Sequence, residues 1–120
     1  MIYTGYFGQL DLYYRYDLTP IAICGKCPQW YKGIWWKHFA PSWDIFSKWK
    51  NGIETDNQYT ERFFKEILSK LKIEDVKQDF NYIDNPILLC YEKEGFCHRH
   101  LVCDWLNYHG LYCEEFKIEN

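Results

Sequence analysis

The sequence has no excess of positive charge, no long apolar run and no repeats. Its formal net charge is −3 and its pI is about 5.8, which argues against broad electrostatic capture of nucleic acid. It contains no stretch of about 18 apolar residues, so no membrane span is expected. The first residues lack the basic and apolar regions of a signal peptide, and we therefore expect a cytoplasmic location. Without repeats, low-complexity tracts or linkers, residues 1–120 are predicted to form a single domain.

Apolar and aromatic residues are abundant. Hydrophobic residues make up 48 % of the chain, which excludes a mainly disordered protein. Aromatic residues make up 21 %, and Trp and Tyr rings commonly line interfaces and ligand clefts as well as cores. The six cysteines have an irregular spacing that is unlike a small disulfide scaffold, and in the cytoplasm they are expected to be thiols.

The spacing of the apolar residues predicts an α/β fold. Strands are predicted at residues 2–7, 19–24, from 87 and at 111–116, and helices at 10–17, 43–50, 57–72, 73–80 and after residue 97. Ser42 and Asp56 are the predicted N-caps of the second and third helices. This order predicts a small three-layer, mostly parallel sheet of about four strands flanked by helices. Ligands bind at the carboxyl ends of such strands, so residues 5–8, 24–32 and 90–99 are expected to share one edge.

The stretch from residue 87 to 101 is the first place to look for a site, because it is read as a buried strand, a short loop and a helix start. Free backbone N–H groups and the helix dipole favour an anion or a thiolate at such a start. Cys97 lies there beside His98 and Arg99, which favours a reactive nucleophile; the alternative is an inert packing residue. Cys90 is a second reactive thiol, a resolving partner or a core residue.

Arg99 is predicted to bind an anion, because a guanidinium in the first turn is poorly placed for its own helix dipole. The structural alternative is a salt bridge to Glu92, Glu94 or Asp104. His98 is two residues from His100, so the two rings do not form the four-residue pair typical of a helical metal site.

Residues 25–41 are predicted to form a long ordered loop that combines lysines with aromatic rings. Cations next to aromatic faces can hold phosphates and stack bases, which favours Lys26, Trp30, Tyr31 and Lys32 as ligand-binding residues. A satellite hydrophobic cluster with solvated lysines explains the same pattern equally well.

A structural zinc site is a weaker alternative. Cys24 and Cys27 have ligand spacing and would meet Cys90 and Cys97 at the sheet edge, but six residues separate the second pair. A thioredoxin-like role for the first pair is less favoured, because no convincing helix begins inside it. We therefore expect no metal and no cofactor.

Several short motifs together resemble the family called domain of unknown function 488 (DUF488), in its short single-domain form. They are Trp30-Tyr31-Lys32-Gly33, Ala40-Pro41-Ser42-Trp43, Tyr59-Thr60, Leu88-Leu89-Cys90-Tyr91-Glu92-Lys93, Cys97-His98-Arg99, Leu101-Val102 and Asp104-Trp105-Leu106. The resemblance implies an α/β fold and a shared site at the strand-end cysteine and the Cys-His-Arg turn. After the second strand, the family pattern has a small residue and an arginine, whereas this chain has Cys24-Gly25-Lys26. Any anion-binding role there falls to Lys26 or is lost.

These observations predict a protein that binds a phosphate-bearing ligand, in the first place a nucleotide or a nucleic-acid fragment. Cysteine-based catalysis by Cys97 or Cys90 is open. The predicted ligand-binding residues are Arg99, His98, Glu92, Lys26, Trp30, Tyr31 and Lys32. The alternatives are a module that sequesters a ligand without turnover and an interaction protein whose exposed rings contact a protein partner or a second copy.

Overall fold

The computed structural model describes residues 1–118 and contains a five-stranded sheet in which all strand pairings are parallel. The strand order is β3-β2-β4-β1-β5. The strands are β1 Ile2–Tyr6, β2 Thr19–Ala22, β3 Ile34–Trp35, β4 Pro86–Cys90 and β5 Cys113–Glu115. The helices are α1 Leu10–Arg15, α2 Trp43–Lys50, α3 Asp56–Arg62, α4 Ile73–Phe80 and α5 His98–Tyr108. The predicted α/β class is confirmed.

Two apolar clusters cover the two faces of the sheet. Successive side chains of a strand point to opposite faces, so in β4 Leu88 packs into one cluster while Ile87 and Leu89 pack into the other. The larger cluster contains side chains from α2 to α5, and the smaller one contains Tyr13 of α1. Because both faces of the sheet are covered, every residue of β4 is buried and its sequence is a continuous apolar run.

The prediction of about four strands missed β3. This strand has only two residues and lies inside the predicted long loop, where it has no alternating pattern that would reveal it. Ile34 pairs with Ile21, and the backbone N–H of Trp36 donates to the carbonyl of Ala22 at 2.9 Å. The pairing depends on a strand that is already buried, so local sequence does not predict it.

The third helix begins one residue earlier than predicted and is not a single α-helix. Thr55 is the N-cap and forms a capping box with Gln58, while the Asp56 carboxylate accepts from the indole of Trp49 at 2.7 Å. After α3, the chain continues as a π-helical segment Phe63–Ile67 and a 3-10 turn Leu68–Lys70. The predicted cap at Ser42 is confirmed, because its side chain accepts from the backbone N–H of Ile45.

Within residues 1–118, the structure contains no helix that is both long and apolar enough to cross a membrane.

Candidate ligand and thiol site

The carboxyl ends of β1, β2 and β4 meet at one edge of the sheet. Cys90, the last residue of β4, lies opposite Tyr6, the last residue of β1. The Tyr91 hydroxyl donates to the carbonyl of Lys26, and its ring lies 5.1 Å from that of Phe7 between centroids. The three segments expected at this edge are therefore in contact, as parallel pairing requires.

Cys90 and Cys97 form a disulfide across the loop between β4 and α5. The expectation that all six cysteines are thiols is wrong for this pair, whereas Cys24, Cys27, Cys103 and Cys113 are free. Cys90 ends the strand and Cys97 is the N-cap residue of α5, so the turn between them brings the two buried side chains together. Cys90 is therefore the disulfide partner of Cys97.

Arg99 lies beneath this loop and is fully engaged with the protein. Its side chain is 1 % exposed, and it binds the Glu115 carboxylate through two N–H···O contacts of 3.0 and 2.9 Å. The remaining N–H groups donate to the carbonyls of Glu92 and Lys93 and to the Cys90 sulfur at 3.3 Å. All donors of the guanidinium are used, so an anion would have to displace one of these partners.

The observed ion-pair partner of Arg99 differs from the three acidic residues named in the sequence-based alternative. Glu115 belongs to β5 and reaches Arg99 only because β5 pairs with β1 at the sheet edge. The arrangement assigns Arg99 a positioning role: it fixes the loop carbonyls and places a cation against the Cys90 sulfur. Such a cation stabilises the thiolate once the disulfide is reduced.

His98, the first residue of α5, is buried and directed to the end of β2. Burial lowers its pKa to about 4, so the ring is neutral at pH 7. One ring nitrogen, Nε2, lies 2.8 Å from the carbonyl oxygen of Ile23 and donates to it in the neutral form. A ring nitrogen of His98 also lies within 4.8 Å of the sulfurs of Cys90 and Cys97.

Cys24 and Cys27 form a separate thiol pair with sulfurs 4.0 Å apart. Burial, together with the neighbouring Cys27, raises the pKa of Cys24 to about 12. The Cys24 thiol is therefore protonated at neutral pH and is a poor nucleophile. Its environment differs from that of Cys90, which has the Arg99 cation beside it.

A cavity of about 660 Å³ opens above the disulfide, and we call it the site cavity. Cys24, Cys90, Cys97 and His98 contribute to its lining. Rings from α2, α3 and the loop before α5 form one side, which we call the aromatic wall: Trp43, Phe46, Trp49, Tyr59 and Phe96. Neighbouring rings of the wall have centroids 5.0 to 6.2 Å apart. A flat aromatic ligand finds both area and ring contacts there.

The charges around the site cavity favour an anion, although the whole chain is acidic. Lys26 and Lys37 line it, and among residues 1–118 Glu92 is the single acidic residue of its lining. The N-terminal ends of two helices also face it, since Ser42 caps α2 and Cys97 caps α5. The side chain of Cys97 caps none of the N–H groups in the first turn of α5, of which that of His100 donates to the Cys97 carbonyl.

Three of the predicted ligand-binding residues lie outside the lining of the site cavity. Trp30 and Tyr31 pack against Phe7 with centroid distances of 6.0 and 5.4 Å, and Lys32 is exposed. Their contacts match the interpretation of this loop as a satellite hydrophobic cluster. Lys26, Glu92 and His98 do line the cavity, and Arg99 lies behind it.

The aromatic wall and Lys37 were not predicted as part of the site. Trp43, Phe46 and Trp49 are spaced three residues apart, which places them on one face of α2. Sequence reasoning assigns such a face to the core. The sequence offered one signal, because Trp43 directly follows the N-cap Ser42 and is therefore the first residue of the helix. In the structure its side chain is 77 % exposed.

Residues 14–110 match the family model described as the "Active DUF488-N3 subclade". The chain belongs to the DUF488 family. The match spans β2 to α5 and therefore includes the disulfide, Arg99, the aromatic wall and both cavity lysines. Neither curated proteins nor solved structures gave a match to this DUF488 chain.

Proposed function

We propose that this DUF488 protein binds a ligand that combines a flat aromatic ring with a phosphate group, such as a nucleotide, in the site cavity. The observation that carries the proposal is the lining itself, with an aromatic wall on one side and two lysines and two helix N-termini around it. Aromatic rings hold a base by stacking without reading its identity, and lysines together with helix N-termini hold a phosphate. Both halves of a nucleotide thus have a complementary surface.

The two cysteines Cys90 and Cys97, which line the cavity, supply nucleophiles for a reaction at the proposed site. Reduction of the disulfide frees two thiols, of which Cys90 has the Arg99 guanidinium 3.3 Å from its sulfur and Cys97 is the N-cap residue of α5. Both settings favour the thiolate, the form that attacks an electrophilic atom. The matched family model is described as an active subclade, which supports an enzymatic activity without naming the residues that carry it.

Isothermal titration calorimetry tests the binding proposal. The ligands are a panel of nucleotides, the corresponding nucleosides and inorganic phosphate. Trp43→Ala is expected to weaken binding by about 5- to 150-fold, since a stacked base contributes about 1–3 kcal/mol. Trp30→Ala is the matched control, because Trp30 is also an exposed indole but packs on Phe7 outside the cavity. Equal losses in the two variants, or no binding by the wild type, would contradict the proposal.

The lysines allow a second matched comparison. Lys26→Met is expected to weaken binding of the nucleotide but not of the nucleoside, because only the nucleotide carries the anion. Lys32→Met should leave both unchanged, since Lys32 is exposed and lies outside the lining. The reverse pattern would restore the sequence-based placement of the ligand at Trp30, Tyr31 and Lys32. A short single-stranded oligonucleotide in the same titrations distinguishes a nucleic-acid fragment from a free nucleotide.

A further inference from the structure

Two sulfurs and one imidazole converge at the floor of the site cavity. The sulfurs of Cys90 and Cys97 and a ring nitrogen of His98 all lie within 4.8 Å of one another, and the three side chains are buried. They come from the end of β4 and the start of α5, two rigid elements that pack on each other. Within residues 1–118, Cys24 and Cys27 do not belong to this group.

The donor set suits a borderline-soft divalent cation. Thiolate sulfur and neutral imidazole nitrogen are the ligands that zinc takes most often in proteins. The second contact of His98 also fits, because its Nε2 donates to the Ile23 carbonyl at 2.8 Å and leaves Nδ1 with a lone pair. Metal-binding histidines usually make such a contact through the other ring nitrogen, which fixes the tautomer and the ring orientation.

We propose that the reduced protein binds one Zn²⁺ ion through Cys90, Cys97 and His98. Three protein ligands leave one position of a tetrahedral site for water or a substrate atom, and all three residues line the site cavity. The arrangement is therefore that of a zinc site open to a ligand rather than a closed structural site. It differs from the four-cysteine site considered from the sequence, which required Cys24 and Cys27.

The disulfide and the metal site are alternative states of the same two sulfurs. A dithiol reductant breaks the S–S bond by supplying two electrons and two protons, which gives two thiols while the dithiol becomes its own cyclic disulfide. Binding of Zn²⁺ then displaces one proton from each thiol and leaves the imidazole neutral. Reoxidation of the sulfurs would remove two of the three ligands and release the ion.

The metal site goes beyond the proposed ligand binding and does not depend on it. The aromatic wall and the lysines contribute no ligand to the proposed metal site, so the titrations above, done on oxidised protein with chelator, test them without a metal. Failure of metal binding would leave that result intact, and failure of nucleotide binding would leave the metal site intact.

Anaerobic titration of reduced, desalted protein with Co²⁺ tests the inference, because Co²⁺ replaces Zn²⁺ and reports its ligands by absorption. The expected result is one equivalent bound, with sulfur-to-cobalt charge-transfer bands and the strong visible bands of a tetrahedral site. Cys97→Ser and His98→Gln should each weaken binding at least about tenfold, since the loss of even an outer-shell partner has that effect. The double variant Cys24→Ser/Cys27→Ser is the matched control and should bind as the wild type does.

Alkylation mapping on the wild type makes the test independent of variants that fail to fold. Stoichiometric Zn²⁺ should protect Cys90 and Cys97 of the reduced protein from iodoacetamide, whereas labelling of Cys103 stays unchanged in the mass spectra of the peptides. Absence of a stoichiometric Co²⁺ spectrum, protection confined to Cys24 and Cys27, or full binding by Cys97→Ser would each overturn the inference.

Discussion

Replacement of Arg99 by Met should destabilise the fold far more than loss of an ordinary ion pair. The guanidinium is 1 % exposed and holds Glu115, two loop carbonyls and the Cys90 sulfur. Arg99→Met keeps most of the apolar stem but leaves the Glu115 carboxylate half-buried without its cation. Breaking a buried pair by removing one partner costs about 3–5 kcal/mol. The side chain of Glu115 is 27 % exposed, so we expect a loss at the lower end, about 3 kcal/mol.

Equilibrium unfolding in urea, followed by tryptophan fluorescence on oxidised protein, measures this loss. A domain of this size has a total stability of about 5–15 kcal/mol, so the midpoint should fall by a large fraction at an unchanged slope. Arg62→Met is the matched control, because Arg62 also contacts carboxylates, those of Asp44, Glu54 and Glu66, but its side chain is 25 % exposed against 1 % for Arg99, so water screens its charge more. Its midpoint should change much less.

The double variant Arg99→Met/Glu115→Leu separates lost attraction from an uncompensated charge. Removal of both partners leaves no buried charge without a counterion, so part of the stability lost in Arg99→Met should return. The positioning role of Arg99 is refuted if Arg99→Met is no more destabilising than Arg62→Met. It is also refuted if the loss of unfolding free energy in the double variant equals the sum of the losses in Arg99→Met and Glu115→Leu.

Three further predictions follow from single contacts. Burial opposes ionisation of Glu115, but hydrogen bonds from Arg99 and Thr4 outweigh it and lower the pKa of its carboxyl. A lowered native pKa adds stability that is present above the unfolded-state pKa of about 4.3 and lost as the pH falls through the native value. In Glu115→Gln, the urea midpoint should therefore fall less steeply at acid pH than in the wild type. An equally steep fall would contradict the contribution of Glu115. Gly5→Ala should cost about 1–3 kcal/mol by overpacking, since its Cβ would lie 2.7 Å from the Tyr13 ring, and a thermal unfolding curve identical to the wild type would contradict this. Thr55→Ala should cost about 1 kcal/mol in the same assay by removing the cap of α3, whereas Thr55→Ser should cost nearly nothing.

The secondary structure depended mostly on local signals, and the sequence predicted most of it. The unbroken apolar run from residue 87 indicated a buried strand, which the structure shows as Pro86–Cys90, and Ser42 marked the start of α2 by its ability to cap backbone N–H groups. Gly110, with φ of 84°, follows the end of α5 in the left-handed conformation that favours glycine. These features involve residues within a few positions of one another, so a single sequence suffices to find them.

The candidate site depended on contacts between distant segments. The sequence indicated Cys90, Cys97, His98 and Lys26, because the rule for parallel sheets brings strand ends to one edge. It did not indicate that α2 and α3 would supply the aromatic wall, or that Trp30 and Tyr31 would pack on Phe7. Either set of rings satisfies the same composition and spacing, and only the packing of the helices on the sheet selects between them.

Residues 87–101 show the same difference between what local sequence determines and what tertiary contacts determine. Its sequence alone determined a strand, a loop and a helix that starts beside a thiol, an imidazole and a guanidinium. The tertiary structure decided what each group does: Arg99 faces Glu115 of β5, His98 faces the end of β2, and the two sulfurs meet below the site cavity. The reason is physical, because a local pattern fixes backbone geometry, whereas the partner of a buried charge is whatever the fold brings within a few ångströms.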